Sequence, residues 1–303
     1  MKIMLVLLRT MGDVILGTTI CRELKQEFPG CEIHFYVNKL YGPLLANNPY
    51  IDIVRESEWA FPDSLFMEMA NENFDRIYTP YQVRGECNMW HQQEAHRRQH
   101  LLDFYWKRMG FHRHIEDREC YLFPSEEDFL VAEKKISFDV PRIAIHSTSG
   151  VATKDWGKFD DLVEEFRKAG YGCIQVGGGE DKLVRGAVDL RGKLSLMELA
   201  AFLSKCALFI GLDSGVSYMA DAMKTPSIVI QGSTDPVTSG PISKRVIHLF
   251  AKETGYEDCQ IVRCHVNCRH EVNCNTRITP GMIMAEAEKI LNALSPMVPV
   301  RID

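Results

Sequence analysis

The feature that most constrains this chain is a short, unbroken apolar run at its start, Met4-Leu5-Val6-Leu7-Leu8. Arg9-Thr10-Met11-Gly12-Asp13 ends the run, and Val14 onward reads as helix to about Phe28. A run this short and without polar alternation fits a strand buried on both faces, as in a parallel sheet. Gly12 and Asp13 then lie at the carboxyl end of a strand and the amino end of a helix, where open α/β sheets place their ligands. A carboxylate there is stabilised by the helix dipole and can be a plain cap. The spacing leaves cap and catalytic group both open.

The same alternation continues. Strands are expected over 32–37, 51–54 and 74–78, with a helix over 64–71 opened by Pro62-Asp63. After Pro141 the pattern restarts, with strands over 142–146, 173–176, 207–212 and 227–231. Helices are expected over 158–169, 195–204, 214–223 and 280–294; Ser195 with Glu198 forms a capping box, and Pro280 opens the last helix. Strands alternating with helices predict doubly wound α/β sheets. At 303 residues two domains are expected. We place them at 1–139 and 140–303.

Composition excludes several classes. The formal net charge of −6 leaves no excess of Lys and Arg for a general polyanion binder, so nucleic acid is not an expected partner. No stretch reaches the roughly 18 apolar residues of a membrane span, and the amino end lacks a signal-peptide cleavage site. A cytoplasmic protein is expected. The most basic region carries Arg97, Arg98, Lys107 and Arg108 beside His91, His96 and His100. It reads either as a solvated helix face with Leu101, Leu102, Phe104 and Tyr105 turned inward, or as a surface for an anionic acceptor or inner-membrane headgroups.

Corners in the second half suit a phosphorylated ligand. His146-Ser147-Thr148-Ser149-Gly150 follows a strand, with Lys154 and Trp156 beyond it; hydroxyls and amides can cradle phosphate oxygens while a lysine supplies charge. Gly177-Gly178-Gly179-Glu180-Asp181 follows another strand and offers a carboxylate for ribose hydroxyls. It is not a G-x-G-x-x-G dinucleotide fingerprint. Asp213-Ser214-Gly215 opens a helix whose free amides can bind a diphosphate. Each alone is compatible with an ordinary turn; together they point to a nucleotide-diphosphate site.

These residues also carry a resemblance. Gly12-Asp13 with Phe28-Pro29-Gly30, then Lys154 and Trp156, Gly177-Gly178 with Glu180, Leu190-x-Gly192-Lys193 with Ser195-Leu196, Asp213-Ser214-Gly215, and Gly232-x-Thr234-Asp235-Pro236 with Gly240-Pro241 resemble the ADP-heptose:lipopolysaccharide heptosyltransferases, glycosyltransferase family 9. The resemblance implies a GT-B architecture: two Rossmann-like domains facing across a cleft, with the last helix packing back on the first. It implies metal-independent, inverting transfer of a sugar from a nucleotide diphosphate, such as ADP-heptose, to a cell-envelope glycan such as lipopolysaccharide core. Asp13 becomes the general base, with Gly12 beside it on the acceptor side, where the basic composition read above also puts Arg97 and Arg98. Thr148, Ser149 and Lys154 hold the leaving diphosphate, Glu180 the ribose, and Asp213, Ser214, Gly215 and Tyr218 the donor's sugar and phosphates.

The chain departs from the family in having Tyr218 where a histidine is usual, and acidic Glu56, Glu58 and Asp63 where a basic segment is usual. Cys259, Cys264, Cys268 and Cys274 cluster without a C-x2-C pair, which leaves free thiols, a disulfide, or a structural Zn or Fe site open. Protein O-heptosylation, nucleotide-sugar epimerisation and non-catalytic nucleotide-sugar binding are the alternative functions.

Overall fold

The strand expected from the opening apolar run is β1 (Lys2–Leu7), and it lies inside a parallel sheet. The computed structural model describes residues 1–58, 73–80, 99–135, 141–250 and 274–294, with backbone alone at Ala152 and Cys274. The helix expected over 64–71, Arg97, Arg98, Cys259, Cys264 and Cys268 lie outside the described residues. The described chain forms two compact units, Met1–Ser125 and Glu126–Asp303.

In the first unit β1 pairs with β2 (Glu32–Asn38) and β4 (Arg76–Tyr78), and β2 pairs with β3 (Ile53–Ser57), giving the order β3-β2-β1-β4. Both faces of β1 are buried: Ile3, Leu5 and Leu7 on one side, Met4 and Val6 on the other. This explains the absence of alternation in its sequence. α1 (Met11–Glu27) follows directly. It packs so closely that a Cβ on Gly17 would lie 2.6 Å from Leu7 and Phe35 side-chain atoms, so glycine is required there. α2 (Leu101–Arg108) buries Leu102, Phe104, Tyr105 and Trp106 and exposes Lys107 and Arg108. The inward face read from the sequence is therefore present, extended by Trp106.

The segment after α2 is laced to α1. Thr19 Oγ1 donates to Glu119 O at 2.8 Å, Arg22 Nη1 meets Asp117 Oδ2 at 2.6 Å, and Arg113 Nη1 meets Glu23 Oε2 at 2.7 Å. These ties hold α2 and its following loop against the first helix.

The second unit begins earlier than the sequence suggested. α3 (Glu126–Lys135) packs on α5 (Leu196–Ser204), so the division falls at Ser125–Glu126 and not near residue 139. The polar face of α3 hid this attachment, because it buries only Ala132 fully.

β5 (Arg142–His146), β6 (Gly172–Gln175), β7 (Val188–Asp189), β8 (Leu208–Leu212), β9 (Ser227–Gln231) and β10 (Val246–Phe250) form one parallel sheet, in the order β10-β9-β8-β5-β6-β7. Strand order thus runs outward in both directions from the β5–β8 pair, the doubly wound arrangement. β7 and β10 add the edges that the sequence reading lacked. α4 (Phe159–Lys168), α5 and α6 (Gly215–Ala222) connect the strands.

α7 (Pro280–Leu294) places Ile283, Ala287 and Leu291, at helical spacing, in one core with Phe159, Leu162, Val163 and Phe166 of α4. Its buried stripe therefore sits in the second unit, whereas the resemblance implied packing on the first.

Candidate donor and base sites

Asp13 occupies the third position of α1, where it closes a capping box with Thr10. The Thr10 N–H donates to Asp13 Oδ2 at 3.1 Å and the Thr10 hydroxyl to the same oxygen at 2.9 Å, while Asp13 N–H donates back to Thr10 Oγ1 at 3.4 Å. The second oxygen is also held: Tyr105 of α2 donates its hydroxyl to Asp13 Oδ1 at 2.6 Å. Asp13 is 6% exposed and Tyr105 1%. Cap and functional carboxylate are thus compatible in one residue. Gly12 is buried in the same turn. Tyr105 was missed as a site residue because it lies 92 residues from Asp13 and reads as core.

In the second unit the corners after β5 and β8 lie side by side at the sheet's carboxyl edge, because those strands are neighbours. Asp213, 3% exposed, receives Lys154 Nζ at 2.7 Å and the Thr234 hydroxyl at 2.6 Å, both on Oδ2. Gly232 permits this approach: a Cβ there would meet Lys154 Cα and Thr153 O at 2.8 Å. The turn Cys274–Arg277 braces the loop from behind, with Asn275 Nδ2 donating to Lys154 O at 2.7 Å. Trp156 is core, and its Nε1 donates to Ile278 O at 2.9 Å. Asn275 gave no sequence signal as a brace.

Ser214, the N-cap of α6, sits 3.0 Å from His146 Nδ1, and His146 Nε2 lies 3.5 Å from Asp181 Oδ2. Asp181 also accepts from Gly178 N–H at 2.8 Å. A Cβ on Gly177 would fall 2.1 Å from that carboxylate and 2.8 Å from the His146 ring, and its φ of +132° suits glycine. His146 therefore joins the glycine loop to the α6 corner, a link the sequence reading did not make.

Buried Gln175 completes the frame. Its amide donates to Ser147 Oγ at 3.0 Å and Lys182 O at 2.7 Å, and its carbonyl accepts from Val184 N–H at 2.7 Å. Beside it opens a pocket of about 370 Å³. Ser147, Thr148, Asp155, Trp156, Phe159, Glu180 and Lys182 are among its lining. Desolvation raises the Asp155 carboxyl above its ordinary value, which backbone hydrogen bonding at Ser149 and the charge of Lys182 oppose.

The structure thus gathers most of the sequence-predicted residues into two groups. Lys154, Asp213, Ser214 and Gly215 share the β8 corner, while Thr148 and Glu180 line the adjoining pocket. Ser149 bonds within its own loop, accepting from Val151 N–H at 3.3 Å and donating to Val151 O at 3.1 Å. The Tyr218 hydroxyl accepts from Gly240 N–H at 2.7 Å, tying α6 to the turn before β10. Cys274 opens its turn, but its side chain and the other clustered cysteines are outside the described set. Among the described residues no group of three or more His, Cys, Asp or Glu is placed to hold a metal. No helix there is long and apolar enough to cross a membrane.

Known proteins resemble this chain along most of its length. The chain is 25% identical to lipopolysaccharide heptosyltransferase 3 of Escherichia coli K12, over 95% of this chain and 98% of that protein. The structure of E. coli ADP-heptose lipopolysaccharide heptosyltransferase II superposes with a TM-score of 0.74 at 16% identity, covering 97% of this chain and 99% of that one. The iron-containing dodecameric glycosyltransferase TibC from enterotoxigenic E. coli H10407 gives 0.70 at 19% identity, over 97% of this chain and 77% of that one. The fold is GT-B. The glycosyltransferase family 9 (heptosyltransferase) profile matches residues 107–270. With that match covering more than half of its length, the chain belongs to glycosyltransferase family 9, the heptosyltransferases.

Proposed function

We propose that this heptosyltransferase moves a heptose, with inversion, from ADP-heptose to a sugar hydroxyl of lipopolysaccharide core. The observation that carries the donor side is the Lys154–Asp213–Thr234 cluster beside the amino end of α6. A departing diphosphate carries concentrated negative charge, and a lysine with free helix amides offers the matching positive field. Thr148 and Glu180 at the adjoining pocket suit the ribose and phosphates of the nucleotide. Among the structural neighbours, TibC has been solved with ADP-D-β-D-heptose and E. coli WaaC with ADP.

In this reading the acceptor hydroxyl gives its proton to Asp13 as its oxygen bonds to the anomeric carbon. The bond from that carbon to the β-phosphate oxygen breaks with its electron pair, and ADP leaves from the opposite face. A positioned base contributes about 10²–10⁴-fold to such a step. Lys154 and the α6 amides take the charge of the leaving group, so the transfer runs without a catalytic metal. A metal at the cysteine cluster is structural in this reading; among the structural neighbours, TibC is iron-containing.

Lipopolysaccharide core is favoured over a protein serine by how much of this chain each relative matches: 95% for lipopolysaccharide heptosyltransferase 3 against 75% for the autotransporter heptosyltransferase Aah. Acceptance is checked by mass gain of one heptose on heptose-deficient lipopolysaccharide core against a serine-containing autotransporter fragment. Thermal shift with ADP, UDP and GDP tests the donor, and the largest stabilisation is expected with ADP. A clear UDP preference overturns the heptose reading, and conversion of the donor sugar without any acceptor indicates the epimerase alternative. Chelation of added metals leaves the transfer rate unchanged.

A further inference from the structure

We propose that Tyr105 is a positioning residue that orients the Asp13 carboxylate for proton abstraction. The inference rests on the reading of Asp13 as the base. A capping box needs only one carboxylate oxygen, and the second capping box of this chain shows that minimal form: Ser195 N–H donates to Glu198 Oε2 at 2.7 Å while Glu198 N–H donates to Ser195 Oγ at 3.2 Å. At α1 the same exchange engages Oδ2, which takes both the N–H and the hydroxyl of Thr10. The tie from Tyr105 to Oδ1, at 2.6 Å from another helix, adds nothing that capping requires.

What it adds is orientation. A carboxylate rotates about its terminal bond between two broad wells unless both oxygens are held. With Oδ2 fixed by Thr10 and Oδ1 by Tyr105, the plane of the group is set on both sides. An ionised carboxylate offers about four acceptor positions. Among the described residues Thr10 fills two on Oδ2 and Tyr105 fills one on Oδ1. The open position is therefore on Oδ1, the oxygen that Tyr105 holds. The acceptor's proton arrives there, and Tyr105 keeps its own proton as a donor throughout. Both side chains are buried, so no bulk water replaces the phenol when it is removed.

The test combines Tyr105→Phe, Asp13→Asn and the double variant, with kcat, the donor KM and the thermal midpoint measured for each. Removing one hydrogen bond to a charged group should lower kcat by about 10–100-fold in Tyr105→Phe. The donor KM should change by less than about twofold, because the donor is bound elsewhere. In the Asp13→Asn background, adding Tyr105→Phe should leave the residual rate unchanged. Tyr105→3-fluorotyrosine keeps ring and hydroxyl and should restore kcat to within about threefold of the parent. It also serves if Tyr105→Phe fails to fold. A Tyr105→Phe enzyme with parental kcat, or an equal loss in both backgrounds, overturns the positioning role while leaving the base intact. Full activity of Asp13→Asn removes the base reading itself, and the positioning role with it.

Discussion

Each unit places an aspartate between the carboxyl end of an inner parallel strand and the start of a helix, and the two are surrounded by opposite chemistry. Asp13 follows β1, and β1 lies between β2 and β4; Asp213 follows β8, which sits beside β5 where the larger sheet changes winding direction. Both are buried, both stand at the start of a helix, and both are tied by hydroxyls. Among the described residues, however, Asp13 is held by neutral donors only, Thr10 and Tyr105, whereas Asp213 is paired with the Lys154 ammonium. A carboxylate surrounded by neutral donors keeps its net charge and can accept a proton. One neutralised by a lysine instead serves to place that cation. The fold supplies the corner, and the residues around the corner decide its chemistry.

The largest break in this comparison comes from Lys154→Met. It strips the cation from the second corner and leaves Asp213 buried with the Thr234 hydroxyl on its Oδ2. Orphaning one member of a buried pair costs about 3 kcal/mol or more, and Lys154 is exposed enough to put this variant at the low end. Losing a positive group aimed at a leaving diphosphate costs about 100-fold or more in kcat/KM. Steady-state kinetics with the nucleotide-sugar donor and a thermal melt check both. Parental kcat/KM in a folded Lys154→Met enzyme would mean that the cation serves the fold alone.

A sharper contrast of intermediate size uses the capping boxes of α1 and α5. Thr10→Ala and Ser195→Ala each remove an N-cap hydroxyl and should each cost about 1 kcal/mol in denaturant unfolding. Only Thr10 also donates to the candidate base. Thr10→Ala should therefore slow transfer by several-fold beyond Ser195→Ala at matched stability. Equal rates in the two variants would reduce the α1 box to a cap.

How far the sequence reached follows the range of each signal. The β1 run, the Ser195–Glu198 box and the 280–294 stripe were legible because strand, cap and helix face are set by neighbours within a few residues. Lys154 and Asp213 stood out as corner residues, yet their pairing spans 59 positions and needed the sheet order to appear. Tyr105 was concealed by its own packing, since a tyrosine on an inward helical face looks like core until its hydroxyl has a partner. β10 carried a readable run, Val-Ile-His-Leu-Phe, that none of the expected strands covered. The two residues of β7 are too few for any period to register.

The smallest expected effect concerns the glycine loop. Arg191 donates to the carboxylate of Asp189 and to Asp181 O, so it fastens the strand β7 to the loop whose Asp181 faces His146. Hydrogen bonds from the Arg191 side chain, then from its backbone N–H, hold the Asp189 carboxyl at about 2, below its ordinary 3.8. A carboxyl depressed on folding binds fewer protons in the native state than in the unfolded one. Its contribution is therefore present above the unfolded value and is lost as pH falls through the window from about 4 to about 2. Asp189→Asn removes that dependence, so urea midpoints taken at about pH 2, 4 and 7 should differ less between pH values in the variant than in the parent. The pair is partly exposed and salt-screened, which keeps the change small at neutral pH. A rise in donor KM well below that of Lys154→Met is expected with it, because the loop loses one anchor while Gln175 still holds its far end at Lys182 and Val184. A parental pH profile in Asp189→Asn would show that Arg191 orders the loop through Asp181 alone.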